Sequence, residues 1–117
     1  MKLFGLIVLS IISLLHCYIC LVEVFFWNKP LGIKSFNLEQ KFADSTKMMA
    51  INQGVYNGFL AAGILYSIVS FDKNMAMFFA VCVLVAGIAG GITSNKKIIL
   101  IQSVPAVIAI VLLVIGI

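Results

Sequence analysis

Short polar punctuation divides this chain into four apolar stretches, each close to the roughly 20 residues that an α-helix needs to cross the hydrocarbon core of a bilayer. They run from about residue 3 to 26, 48 to 71, 75 to 93 and 98 to 117. Asp72-Lys73-Asn74 separates the second from the third, and Ser94-Asn95-Lys96-Lys97 the third from the fourth, so neighbouring helices run antiparallel through tight connections. Only segment 27–47 is long enough to be a loop of any size. Of 117 residues, 63% are hydrophobic and 10% charged, whereas a soluble domain carries about 25% charged residues. The pattern predicts an all-α fold: a membrane-embedded four-helix bundle forming a single transmembrane domain over residues 1–117, with one longer loop between helices 1 and 2. It leaves no room for an extramembrane domain.

Lys2 before an apolar run also suits a secretory signal. The run is long for a signal core, however, no A-x-A-like site follows it, and Leu15-His16-Cys17 lacks the small residues of a lipoprotein box, so it is read as a span. Short cytoplasmic loops carry the excess of basic residues. Lys29, Lys34, Lys41, Lys47, Lys96 and Lys97 fall on one side and Lys2 and Lys73 on the other, which places loops 27–47 and 94–97 in the cytoplasm and both termini outside a multi-pass cell-membrane protein. The net charge of +4 is then a topology signal and a contact for anionic headgroups of the lipid bilayer, with no nucleic-acid partner implied.

Within the long loop, Asn28-Lys29-Pro30-Leu31-Gly32 is turn chemistry, because Pro fixes its own φ and disfavours helix at the residue before it. Asn37, followed three residues later by Gln40, predicts an N-cap with a capping-box partner and a helix starting near Leu38. Leu38 and Phe42 would then rest on the membrane surface, with that helix running into the second span.

The candidate site comes from polar residues inside the spans, where they are costly and face protein, water or ligand. On the first helix Ser13, His16, Cys20, Glu23 and Trp27 recur at spacings of three or four and share one face. Tyr18 points the opposite way. Glu23 is the sole carboxylate within a span and His16 the sole histidine. On the second helix Asn52, Gln53, Tyr56 and Asn57 sweep a polar arc, and Gly54, Gly58 and Ala62 form a small-residue stripe that lets a neighbouring helix approach closely. Counting inward from the loop at about 1.5 Å per residue sets Glu23 level with Asn52 and Gln53, and His16 level with Asn57 and Gly58.

These residues also carry a family likeness. His16-x-Tyr18-Ile19, Glu23, Phe25, Trp27, Pro30, Gly32, Phe36, Phe42-Ala43 and Thr46-Lys47, followed by Asn52-Gln53-Gly54-x-Tyr56-Asn57-Gly58-Phe59-Leu60-Ala61-Ala62-Gly63, resemble the small membrane proteins of the domain-of-unknown-function 1304 family. The likeness is close over the first half and extends through the rest in hydropathy. It implies four helices in a bacterial or fungal membrane and no particular activity.

Each candidate has a plainer role beside the functional one. Glu23 could snorkel or pair with a lysine, His16 could be a structural hydrogen-bonding residue, and Asn52 and Gln53 could serve as interhelical glue. Cys17-x-x-Cys20 has redox spacing but lies mid-helix without a βαβ setting, and Cys82 has no partner in sequence. Gln102, Ser103 and Pro105 predict a kink in the fourth helix. One His and one carboxylate fall short of a zinc site, so no metal and no cofactor, haem included, is expected.

Two functions fit. The pocket binds or transports a small hydrophobic or amphipathic ligand or a proton, with Glu23 titrating, His16 relaying, and Asn52, Gln53, Tyr56, Asn57 and Trp27 holding the ligand. Alternatively, His16 and Glu23 act as acid and base of a membrane-embedded enzyme on a lipid-soluble substrate, with the amides stabilising developing charge. The first is favoured. A homo-oligomer and an accessory-subunit role stay open.

Overall fold

The computed structural model describes residues 1–117, of which 86% are helical and none is in a strand. The all-α expectation therefore holds. The chain forms α1 (Leu3–Leu21), a π-helical turn (Val22–Phe26), α2 (Pro30–Phe36), α3 (Gln40–Val69), α4 (Lys73–Thr93), a second π-helical turn (Ile99–Ser103) and α5 (Val104–Ile115). There are thus five α-helices where four were expected, because part of the long loop is itself helical.

Two readings of that loop are corrected. Pro30 starts α2 instead of making a turn: its fixed φ and missing N–H suit the first helical position, after Lys29 in extended geometry. Asn37 ends α2 and does not cap α3. It sits in the left-handed region at φ 52° and ψ 56°, with its own N–H and that of Leu38 both returning to the Ile33 carbonyl. Asn tolerates this conformation better than other residues with a Cβ, and the paired bonds satisfy the end of the helix. α3 then begins at Gln40 and continues without a break for 30 residues.

Leu3–Phe26 and Lys73–Thr93 are long and apolar enough to cross a membrane, each with a mean hydropathy of 2.4. Ile99–Ile115 is a shorter apolar helix.

The chain divides into two compact units, Met1–Leu14 with Leu60–Ile117, and Leu15–Phe59. In the first, Leu9, Ile12 and Ile64 pack with Ala76, Ala80 and Val83 of α4 and Ala106, Ala109 and Leu113 of α5. Much of this interior is made of small side chains, while Phe78, Ile92 and Val114 lie outside, each more than 60% exposed. Ser103 Oγ donates to the Leu84 carbonyl at 3.1 Å, and a Cβ on Gly87 would come within 2.9 Å of the Ser103 nitrogen, so α4 meets the second π turn at backbone distance. That turn stands at the position expected to kink. Pro105 has no N–H to continue the α-helical ladder, and the chain enters it through wider-pitch bonding. The α3–α4 connection closes on Phe71 at φ 53°, with Asp72 N–H returning to the Ser67 carbonyl and Asp72 Oδ1 capping Met75 N at 3.0 Å.

Candidate functional site

The unit Leu15–Phe59 holds the end of α1, the first π turn, α2 and the first two-thirds of α3. Its seam is set by two glycines. A Cβ on Gly54 would lie 2.7 Å from Val24 Cγ2 and 2.9 Å from Glu23 Cβ, and one on Gly58 would lie 3.0 Å from Cys20 Sγ. Only a residue without a Cβ permits that approach at Gly54, which is what small residues accomplish between apolar helices.

The close approach joins two polar groups. Asn57 Nδ2 donates to Glu23 Oε1 at 2.6 Å, with the two residues 8% and 6% exposed. Glu23 lies in the π turn Val22–Phe26, a wider turn that recurs at functional positions in helices. Its other carboxylate oxygen makes no hydrogen bond to the protein, and Glu23 lines an open groove of about 230 Å³ with Trp27, Thr46, Gln53, Phe42, Met49 and Ala50.

The groove wall is pinned. Trp27 Nε1 donates to Thr46 Oγ1 at 3.0 Å, and Thr46 Oγ1 donates in turn to the Phe42 carbonyl at 2.7 Å. The Trp27 ring also packs against Phe36 of α2 with centroids 5.1 Å apart. α2 is held against the chain before it because Gly32 sits directly on the carbonyls of Phe26 and Trp27, where a Cβ would lie 2.7 Å from the Trp27 carbonyl carbon. Tyr18 and Ser35 share a 2.8 Å hydrogen bond, tying α1 to α2 from the face opposite the Glu23 stripe. Asp44 Oδ1 accepts from Asn28 Nδ2 and Gln40 Nε2 and ties the turn before α2 to the first turns of α3.

The expected residues fall in different places. Glu23, Trp27 and Gln53 meet on the groove, and Asn57 reaches it through Glu23. Glu23 pairs with Asn57 and not with Asn52 or Gln53, one turn further along α3 than the depth count gave. His16 is fully buried and stands seven residues before Glu23, about 10 Å along the helix axis. Asn52 and Tyr56 are exposed, Tyr56 in an edge-to-face contact with Phe59 at 5.9 Å. Gly54 and Gly58 lie on the seam, whereas Ala62 is exposed and belongs to the other unit. No three His, Cys, Asp or Glu side chains converge anywhere in the chain.

Phe42, Thr46, Met49 and Ala50 were missed. They share one face of α3 with Gln53 at spacings of three and four; Phe42 and Thr46 lie ahead of the span and Met49 and Ala50 are apolar, so a search for polar residues inside the spans passes over all four.

Fold and site define an all-helical protein with two helices apolar enough to span a membrane and a carboxyl group buried in one of them. Residues 10–114 match the family described as protein of unknown function (DUF1304), and the chain belongs to it. It is also similar to the uncharacterized protein YpaA of Lactococcus lactis subsp. lactis (strain IL1403), with 29% identity over 115 residues that cover 95% of this chain and 97% of that protein. No solved structure matches the chain.

Proposed function

We propose that the protein is an integral membrane protein with four spans, near residues 3–26, 48–71, 75–93 and 98–117, that binds a small amphipathic molecule in the groove beside Glu23. The distribution of side-chain size supports the membrane setting. Large apolar residues such as Leu14, Val69 and Ile92, all more than 70% exposed, face outward, while alanine and glycine line the helix contacts. A soluble protein would expose a contiguous apolar surface at that cost, whereas a bilayer welcomes it. At 30 residues α3 measures about 45 Å, longer than a hydrocarbon core of roughly 30 Å. Its first two turns, with Lys41, Asp44 and Lys47, therefore extend into the headgroup region. The lysine bias sets loops 27–47 and 94–97 on the cytoplasmic side.

One observation carries the functional reading: a carboxyl group buried in a π turn, bonded on one oxygen to Asn57, with its other side toward an otherwise largely apolar groove. Ionisable groups inside a span mark ligand or ion sites by default. His16 stands two helical turns away, which favours binding over a concerted His16–Glu23 acid–base reaction on one substrate atom.

The test is native mass spectrometry of the gently extracted protein. A bound small molecule should accompany the parent chain and be lost from Glu23→Gln and Gln53→Leu, both still helical by circular dichroism. Retention of the same molecule by both variants would refute the site.

A further inference from the structure

Resting on the reading of the groove as a ligand site, we propose that its ligand is an organic cation, a protonated or quaternary amine on an apolar body, with its charge against Glu23 and its body along Trp27, Phe42 and Met49.

Charge complementarity carries the choice. Glu23 is the only charged residue lining the groove; none of the chain's lysines reaches it. A negative ligand would meet a carboxyl group with no compensating cation. A neutral polar one would find Gln53 and Thr46, but Thr46 Oγ1 is already occupied, accepting from Trp27 and donating to Phe42. A cation finds a carboxylate oxygen that makes no protein hydrogen bond, in a setting that screens charge far less than water does. The Trp27 indole beside it adds the aromatic surface on which alkylammonium groups are held, and its Nε1–H, fixed on Thr46, keeps that ring in the wall.

The same bookkeeping of charges selects among cations. An ammonium headgroup of a phospholipid brings its phosphate within a few bonds, and the groove offers that phosphate no lysine. At about 230 Å³ the space suits a single ring with a small ammonium head. A free amphipathic amine is therefore the occupant, and not an aminophospholipid.

Trp27 is the single tryptophan, so its fluorescence reports occupancy directly. The purified full chain in neutral maltoside micelles is titrated with benzyltrimethylammonium, with neopentylbenzene, its uncharged isostere, and with benzenesulfonate. The cation should shift Trp27 emission at a concentration about tenfold or more below that of the neutral isostere. The sulfonate should do nothing. Glu23→Gln should bring cation and isostere to within about twofold of each other, the isostere unchanged, which also certifies that the variant's groove is intact. Equal response to cation and isostere in the parent overturns the cation proposal and leaves the groove a ligand site. Silence from all three probes overturns both. Phosphatidylethanolamine added to the micelles should not displace the cation; if it weakens cation binding about tenfold, the headgroup is the occupant and the assignment to a free amine is wrong.

Discussion

The Glu23–Asn57 contact can be tested as an energy. The two side chains lie 34 residues apart in sequence, meet at 2.6 Å and are 6% and 8% exposed. In the membrane setting proposed above, hydrogen bonds between helices contribute about 0.6 kcal/mol on average and up to about 1.7. When Glu23 is ionised, a bond to it is about twice as strong as a neutral one, so a coupling of about 1–1.5 kcal/mol is expected at alkaline pH. Asn57→Ala alone should cost more, about 2–3 kcal/mol, because it also leaves the carboxyl group without its donor. The measurement is a double-mutant cycle of Asn57→Ala and Glu23→Ala, each unfolded by sodium dodecyl sulfate titration from mixed micelles and followed by circular dichroism. Alanine is used at Glu23 because a glutamine would make a replacement bond to the amide and hide the coupling. A coupling below about 0.3 kcal/mol, within the scatter of independent sites, would refute the pairing.

Two further substitutions probe the framework. Gly54→Ala places a methyl group 2.7 Å from Val24 Cγ2 and 2.9 Å from Glu23 Cβ; it should destabilise by about 1–3 kcal/mol in the same titration, as overpacking does, and a neutral result would contradict the backbone approach. Phe71→Gly relieves a left-handed residue at φ 53° whose side chain is 70% exposed; it should stabilise by about 1 kcal/mol, seen as a raised thermal midpoint, and a lowered midpoint would show that the aromatic ring contributes more than its backbone strain costs.

Helical periodicity made much of this visible in advance. The stripe Ser13, His16, Cys20, Glu23, Trp27 is buried or half-buried throughout, because a period of 3.6 depends on local geometry alone and survives a single π turn. Gly54 and Gly58 were legible for a related reason: a residue without a side chain in an apolar helix signals an approaching backbone. The role of Asn37 was not. Asn37 is chemically suited both to capping a helix start and to the left-handed end of one, and the choice is made by Pro30, which nucleates α2 seven residues earlier. The face Phe42, Thr46, Met49, Ala50, most of the groove, was not singled out because a search for polar residues inside the spans passes over apolar side chains and over positions ahead of residue 48. The depth count, taken from the span limits at residues 26 and 48, matched Glu23 to Asn52 and Gln53 and not to Asn57. A π turn at Val22–Phe26 has no sequence signature comparable to a proline or glycine.

Seam and groove are successive parts of one helix pair, and side-chain size decides which is which. At Gly58 and Gly54 the α3 backbone lies directly against Cys20, Glu23 and Val24, so the helices pack closely and the Asn57 amide reaches across. From Ala50 back to Phe42 the same face carries Met49, Thr46 and Phe42, which line the groove with Trp27. Trp27 ties its segment to α3 across the groove through its bond to Thr46. Glu23 stands at the junction: its Cβ lies against Gly54, and its carboxyl group is shared between the Asn57 amide and the open interval. A carboxyl group placed higher on the seam would be enclosed where the helices pack closely, and one placed beyond Trp27 would be out of reach of the amide. The junction is where such a group is both desolvated and reachable, which is what the proposed site for a charged ligand requires.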